Sequence, residues 1–150
     1  MINQLTQLVT ALAVLSLSAC SMFAGGDDPF IDLREQIRLT VHDQERADAM
    51  SASVDELDQL LLESAELLAE VARQERMLFV DYDSAQRDFD LLFSEAARKR
   101  RTLQEDMLDA HLEFKSIATA EEWEVILPVH ANAISSRMQS LVVAAKNERQ

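Results

Sequence analysis

The strongest constraint on this chain is the lack of helix-breaking residues after position 29. From Phe30 to Gln150 there is no glycine and a single proline, Pro128. Alanine, leucine, glutamate, glutamine, arginine and methionine are abundant, and these residues favour the helix. Turns that need a positive φ are correspondingly scarce. We therefore predict an all-α fold.

Apolar residues recur at helical spacing along the first half of this region. A first helix is predicted from near Phe30 to Val41, and Asp43 is the predicted N-cap of a long segment that ends near Phe79. Asp43 marks either a kink or a true break between the two. The long segment carries a heptad seam, in which apolar positions alternate at steps of three and four. Its members are Ala47, Met50, Val54, Leu57, Leu61, Ser64, Leu68 and Val71.

The second half begins with a turn at Asp81–Ser84. Asp83 or Ser84 is expected to cap a second long helix that ends near Ala118. Its apolar stripe comprises Phe89, Leu92 or Phe93, Ala96, Leu103, Met107, His111, Phe114 and Ile117. Short connections make neighbouring helices antiparallel. We therefore expect an elongated antiparallel helical hairpin or bundle of three to four helices.

A final helical segment opens at Thr119, which has Glu122 at the spacing of a capping box. Trp123, Ile126 and Leu127 follow on one face, and Trp123 is interpreted as a core anchor. Pro128 lacks an N–H group, so it should either kink this helix or begin a fourth one. Ile134, Met138, Leu141 and Val142 continue the apolar stripe.

The first nineteen residues have a different character, because they contain no charged side chain. Their apolar stretch, residues 8–17, is too short to cross a bilayer but has the length of a signal-peptide core. It leads into Leu17-Ser18-Ala19-Cys20. This tetrapeptide resembles the lipobox of bacterial lipoproteins.

The resemblance implies cleavage before Cys20, a diacylglycerol thioether on its sulfur and acylation of its new amino group. Several acyl chains together give stable membrane anchoring. The expected organisation is a signal peptide at 1–19, a lipidated cysteine with a flexible tether at 20–29, and a helical domain at 30–150. Ser21 follows the cysteine, and in the sorting pattern of these proteins it favours the outer membrane.

The charge of the chain excludes some classes of partner. The formal net charge of −13 falls entirely on residues after the uncharged signal. We expect no binding to nucleic acid or to an anionic lipid surface through a general basic face. A single cysteine also excludes an intramolecular disulfide.

The three histidines are the candidate metal ligands. His42 lies at the break after the first helix, while His111 and His130 fall on the apolar stripes of different helices. Met107 and Met138 lie nearby and offer thioether sulfur. Two imidazoles without a placed carboxylate or thiolate make an incomplete site. We therefore expect packed histidines and no cofactor.

Two charged clusters are also candidates for binding. Arg98–Arg101 is a basic run that suits phosphates or an acidic partner, but on a helix it points around most of the circumference. We interpret it as a solvated surface, ion-paired with carboxylates of the facing helix such as Glu56, Asp58 and Glu63. The aspartates near the turn, which are Asp81, Asp83, Asp88 and Asp90, lack the glycine of a calcium loop and suit helix capping.

The region from Asp88 to Leu127 resembles the periplasmic stress-chaperone and heavy-metal-resistance proteins, which open a helix with Leu-Thr-x-x-Gln. The matching stretch is Ala118-Thr119-Ala120-Glu121-Glu122-Trp123, with Ala and Glu in place of Leu and Gln. This resemblance implies a helical envelope protein that binds unfolded clients or metal. A lipoprotein of another family fits the same residues.

No serine, histidine and aspartate form a recognisable catalytic motif, so we expect a protein that is not an enzyme. The leading hypothesis is a lipid-anchored periplasmic protein of the outer membrane whose helical bundle binds a protein partner or client. A metal-binding envelope protein is the alternative, and a cell-wall spacer is the third. The candidate partner surface is the apolar stripe of the first helix, formed by Phe30, Leu33, Ile37 and Val41. The alternative interpretation is that these four residues belong to the core.

Overall fold

The computed structural model describes residues 28–147, with their side chains described through residue 144. The signal segment, the lipobox and Cys20 lie outside the described residues. Within that range the chain forms four helices: α1 (Ile31–Thr40), α2 (Gln44–Val80), α3 (Gln86–Ile117) and α4 (Ala120–Asn147). The described part contains no strand, which confirms the all-α prediction.

The longest helix, α2, begins where the sequence predicted. The side chain of Asp43 accepts a hydrogen bond from the backbone N–H of Arg46 at 3.0 Å, so Asp43 is the N-cap. Asp43 lies in a true break, since α1 ends at Thr40 and residues 41–43 are not helical. At 37 residues, α2 is about 55 Å long.

The turn between α2 and α3 differs from the prediction. Helix α3 begins at Gln86, so neither Asp83 nor Ser84 is its N-cap, and the residue in that position is Ala85. The backbone N–H of Ala85 donates instead to the carboxylate of Asp88, at 2.9 Å. A carboxylate in the first turn also suits the positive end of the helix dipole, which explains why no capping side chain is needed.

The predicted capping box opens α4. Thr119 Oγ1 accepts from the N–H of Glu122 at 3.2 Å, and Glu122 accepts from the N–H of Thr119 at 2.8 Å. Pro128 lies inside this one continuous helix, so it does not begin a separate helix. Its missing N–H leaves the carbonyl of Glu124 without a helical partner, at an exposed position where water can replace it.

Helices α2 and α3 pack as an antiparallel hairpin, and α1 and α4 cover one end of it. The core lies at that covered end. Phe30, Leu33 and Ile37 of the first segment are completely buried there, together with Met50 of α2 and Ile126 of α4. None of the helices in the described range combines the length and apolarity needed to cross a bilayer.

Two arginines tie helices of the covered end to α2. Arg34 of α1 donates to Asp55 of α2 at 2.6 and 3.2 Å and to Asp28 at 2.7 Å. Arg137 of α4 donates to both carboxylate oxygens of Asp58, at 2.6 and 3.2 Å. Charge-assisted pairs of this kind fix geometry as well as adding stability, so they set the register of α1 and α4 along α2.

Candidate functional site

The first candidate surface is the stripe of α1, and the structure buries it. Phe30, Leu33 and Ile37 are 0% exposed and Val41 is 3% exposed. They contact the common core because α1 packs against both α4 and α2. These four side chains are therefore core residues, as the alternative interpretation of the stripe expected, and they do not form an exposed partner surface.

The predicted histidine candidates come together in the structure. The ring centres of His111 on α3 and His130 on α4 lie 5.1 Å apart. The ring of Phe114 stacks on His130 at 4.8 Å, and the ring of Trp123 lies 5.9 Å from each histidine. We call these four residues the aromatic cluster. The cluster forms between α3 and α4, which are joined by the short 118–119 connection.

His130 is the unusual member of the aromatic cluster. It is 2% exposed, and its Nε2 atom has no hydrogen-bond partner among the described residues. Burial is the larger cause and the neighbouring His111 the smaller, and together they lower the pKa of His130 to about 4. The imidazole is therefore neutral at physiological pH.

A complete metal site of the usual donors is not found in the described part of the chain. No group of three or more histidine, cysteine, aspartate and glutamate side chains converges there. His42 is exposed at the break after α1, apart from the aromatic cluster. Met107 packs on the core one turn before His111, whereas Met138 is 54% exposed. Met107 is therefore the methionine whose thioether lies next to His111 on the same helix face.

A second candidate site is the part of the hairpin toward its tip, residues 62–103, which we call the arm. The α2 seam is buried from Ala47 to Leu61, at 7% exposure or less, but Leu68 is 59% exposed. Leu68 lies two helical turns beyond Leu61 on the same face. Ser64 and Val71, the seam members on either side of Leu68, are half-buried, so the seam is less completely buried beyond Leu61.

Other large apolar side chains are exposed on the arm. Phe79 and Phe89 hold its tip together, with ring centres 5.0 Å apart, yet Phe79 remains 71% exposed. The other exposed members, at 44% or more, are Met77, Val80, Tyr82, Leu91 and Phe93. Clusters of exposed apolar side chains on a folded protein usually mark an interaction surface. The sequence analysis placed the partner surface at the other end of the molecule.

The basic run lies on the arm, and its ion pairing differs from the expectation. Arg98 and Lys99 lie 3.9 Å from Glu95 of their own helix. Asp58, expected to face the run, pairs with Arg137 instead. Glu56 and Glu63 make no ion pair with the run in the described structure, and all four of its side chains are exposed.

Two of the four turn aspartates, Asp81 and Asp88, accept hydrogen bonds from the local backbone. Asp81 accepts from the N–H of Asp83 at 3.1 Å, and Asp88 accepts from the N–H of Ala85. These bonds agree with the preference for capping over a calcium loop.

One ion pair that the sequence analysis did not identify joins three elements. Arg46, in the first turn of α2, donates to the carbonyl of Ile117 at the end of α3 and to Glu122 in the first turn of α4. Hydrogen bonds from Arg46 hold the pKa of Glu122 below its ordinary value. The only local signal was the capping box, which places Glu122 but does not reveal its distant partner.

No protein-family model, no curated protein and no solved structure matches this chain.

Proposed function

We propose that this protein is a lipid-anchored lipoprotein of the bacterial cell envelope that uses its arm to bind a protein partner or client. The observation that carries the proposal is the exposure of Leu68 on a helix face that is buried from Ala47 to Leu61. Burial of such a face by another protein removes apolar area from water, at about 25 cal/mol per Å². The proposed role is binding and not catalysis.

The anchoring part of the proposal is supported by the sequence. Cys20 is the one cysteine of the chain and follows Leu17-Ser18-Ala19, the pattern of a lipobox. Residues 20–29 contain both glycines of the chain, which suits a tether between lipid and domain. With Ser21 after the cysteine, we propose the periplasmic face of the outer membrane as its location.

A direct experiment separates anchoring from binding. Cys20→Ser should abolish metabolic labelling with a fatty acid and release the protein from the membrane fraction. Leu68→Glu should leave fatty-acid labelling and membrane association unchanged. It should remove the adducts that chemical cross-linking in cells forms between this protein and its partner. Leu39→Glu is the matched control, because Leu39 is 67% exposed on the covered end and should keep its adducts. Continued membrane association of the Cys20→Ser protein would refute the lipid anchor.

The aromatic cluster favours metal binding as a second candidate function. Two imidazoles on one tetrahedral ion have ring centres about 5 Å apart, given metal–nitrogen bonds of about 2.0 Å. The 5.1 Å separation of His111 and His130 agrees with this value. Zinc or copper should then raise the melting temperature, through linkage of binding to folding.

The metal candidate has a simple control. The rise in melting temperature should disappear in the double variant His111→Ala, His130→Ala and persist in His42→Ala, which changes a histidine outside the cluster. A melting temperature that does not respond to either metal would eliminate this second candidate.

A further inference from the structure

The aromatic cluster contains two imidazoles but offers no negative charge to an ion bound between them. In the part of the chain that the structure describes, no carboxylate or thiolate joins the two histidines to make a group of three donors. The two carboxylates that fasten α4 to α2 are already engaged, since Asp58 is held by Arg137 and Glu122 by Arg46. The charge of a bound ion would therefore stay unbalanced inside the cluster.

The surroundings of the cluster are also apolar on the side of His130. The His130 side chain is 2% exposed, and its Nε2 atom is buried without a hydrogen-bond partner among the described residues. Phe114, which stacks on it, is 2% exposed, and Ile126, one turn earlier on α4, is 0% exposed. Because the cost of taking an ion out of water rises with the square of its charge, such a place favours a monovalent ion over a divalent one.

The separation of the two rings indicates how many donors the ion needs. With metal–nitrogen bonds of about 2.0 Å, ring centres 5.1 Å apart correspond to an angle of about 110° between the two bonds. An angle of this size does not fit a linear site of two ligands, so a third donor is required. Met107 packs on the core one helical turn before His111 on the same face, which places a neutral, soft thioether beside the imidazoles.

We propose that His111, His130 and Met107 form a site for the monovalent cuprous ion, Cu(I), held by two imidazole nitrogens and one thioether sulfur. The inference rests on metal binding, the second candidate function, and names its ion. Thioether sulfur selects Cu(I), and no charged ligand is needed to balance a single positive charge. Zinc, in contrast, is almost always held by four ligands in a tetrahedral site and carries twice the charge.

Competition against coloured chelators tests the preference between the ions. The full-length chain in detergent is titrated with Cu(I) without oxygen in the presence of bicinchoninate, and separately with Zn(II) in the presence of a zinc indicator. We expect one Cu(I) per chain, bound about a hundredfold more tightly than Zn(II). Zinc bound as tightly as Cu(I) would overturn the inference but leave metal binding as a function. Binding of neither ion would refute both.

Single substitutions test the three donors. His111→Phe and His130→Phe keep an aromatic ring and should each weaken Cu(I) binding about tenfold or more. Circular dichroism checks that they fold, and His111 is half-buried, so its variant serves if His130→Phe does not fold. Met107→Leu should weaken binding to a similar degree and remove the sulfur neighbour from the X-ray absorption spectrum of the bound copper.

The matched control for the thioether is Met138→Leu. Met138 is 54% exposed, so this variant should bind Cu(I) like the wild type and keep the sulfur neighbour. Unchanged affinity and an unchanged sulfur signal in Met107→Leu would refute the assigned site.

Discussion

The guanidinium of Arg46 donates to both carboxylate oxygens of Glu122, at 2.5 and 3.0 Å. The same carboxylate closes the capping box with Thr119. One side chain thus caps α4 and fastens its first turn to the first turn of α2. Because Arg46 also contacts the carbonyl of Ile117 at 3.0 Å, this point also holds the end of α3.

Thr119→Ala should lower the stability of the protein by about 1 kcal/mol, the usual cost of losing an N-cap side chain. Glu122→Ala should cost more, because it removes the other half of the capping box and the partner of Arg46. Urea unfolding followed by circular dichroism measures both. Thr102→Ala, on the exposed middle of α3, is the control and should be nearly neutral. Equal stability of Thr119→Ala and the control would contradict the role of the cap.

The buried imidazole of His130 should make the protein less stable in mild acid. The unfolded chain binds a proton near pH 6.5, but the folded pKa is about 4. The unfolded state therefore binds more protons between these values, and stability falls as pH decreases through that window. The pKa of Glu122 is also lowered in the folded state. Its contribution to stability is therefore lost only as the pH falls through and below 4.5, the ordinary pKa of a glutamate.

The melting temperature should accordingly drop between about pH 7 and about pH 5. His130→Phe, which retains an aromatic ring beside Phe114, should show a much smaller drop over this interval. His42→Ala should behave like the wild type. An identical pH dependence in His130→Phe and the wild type would show that another group is responsible.

Ile37→Asp should lower the melting temperature by many degrees. Ile37 is 0% exposed, and burying an unpaired carboxylate costs several kcal/mol. Leu39→Asp, two residues away on the exposed face of α1, should leave the melting temperature nearly unchanged. Thermal unfolding of the two variants measures the difference. A stable Ile37→Asp protein would mean that α1 does not pack on the bundle as described.

The helices could be predicted from the sequence because their signals are local. The absence of glycine excludes most alternatives, Asp43 and Thr119 are capping residues, and the seam from Ala47 to Leu61 is regular. The start of α3 was missed because its cap is a backbone N–H bonded to the later Asp88, with no capping side chain at Ala85. The same local pattern does not distinguish this cap from one at Asp83 or Ser84.

The candidate sites depended on which helices become neighbours. The stripes of His111 and His130 indicated that these residues could meet, but not that His130 would be buried without a partner for Nε2. The stripe of α1 and the seam at Leu68 are both apolar in the sequence. Only the packing of α1 and α4 on one end of the hairpin buries the first and leaves the second exposed.

The most direct test of the account is the accessibility of position 68 in intact membranes. In the proposed lipoprotein the sulfur of Cys20 is a thioether, so an introduced cysteine is the only free thiol. In Leu68→Cys, a water-soluble maleimide should label the protein poorly in membranes and fully after dilution in detergent. Leu39→Cys should be labelled fully in both. Equal and complete labelling of the two variants in membranes would contradict the claim that another protein covers the arm.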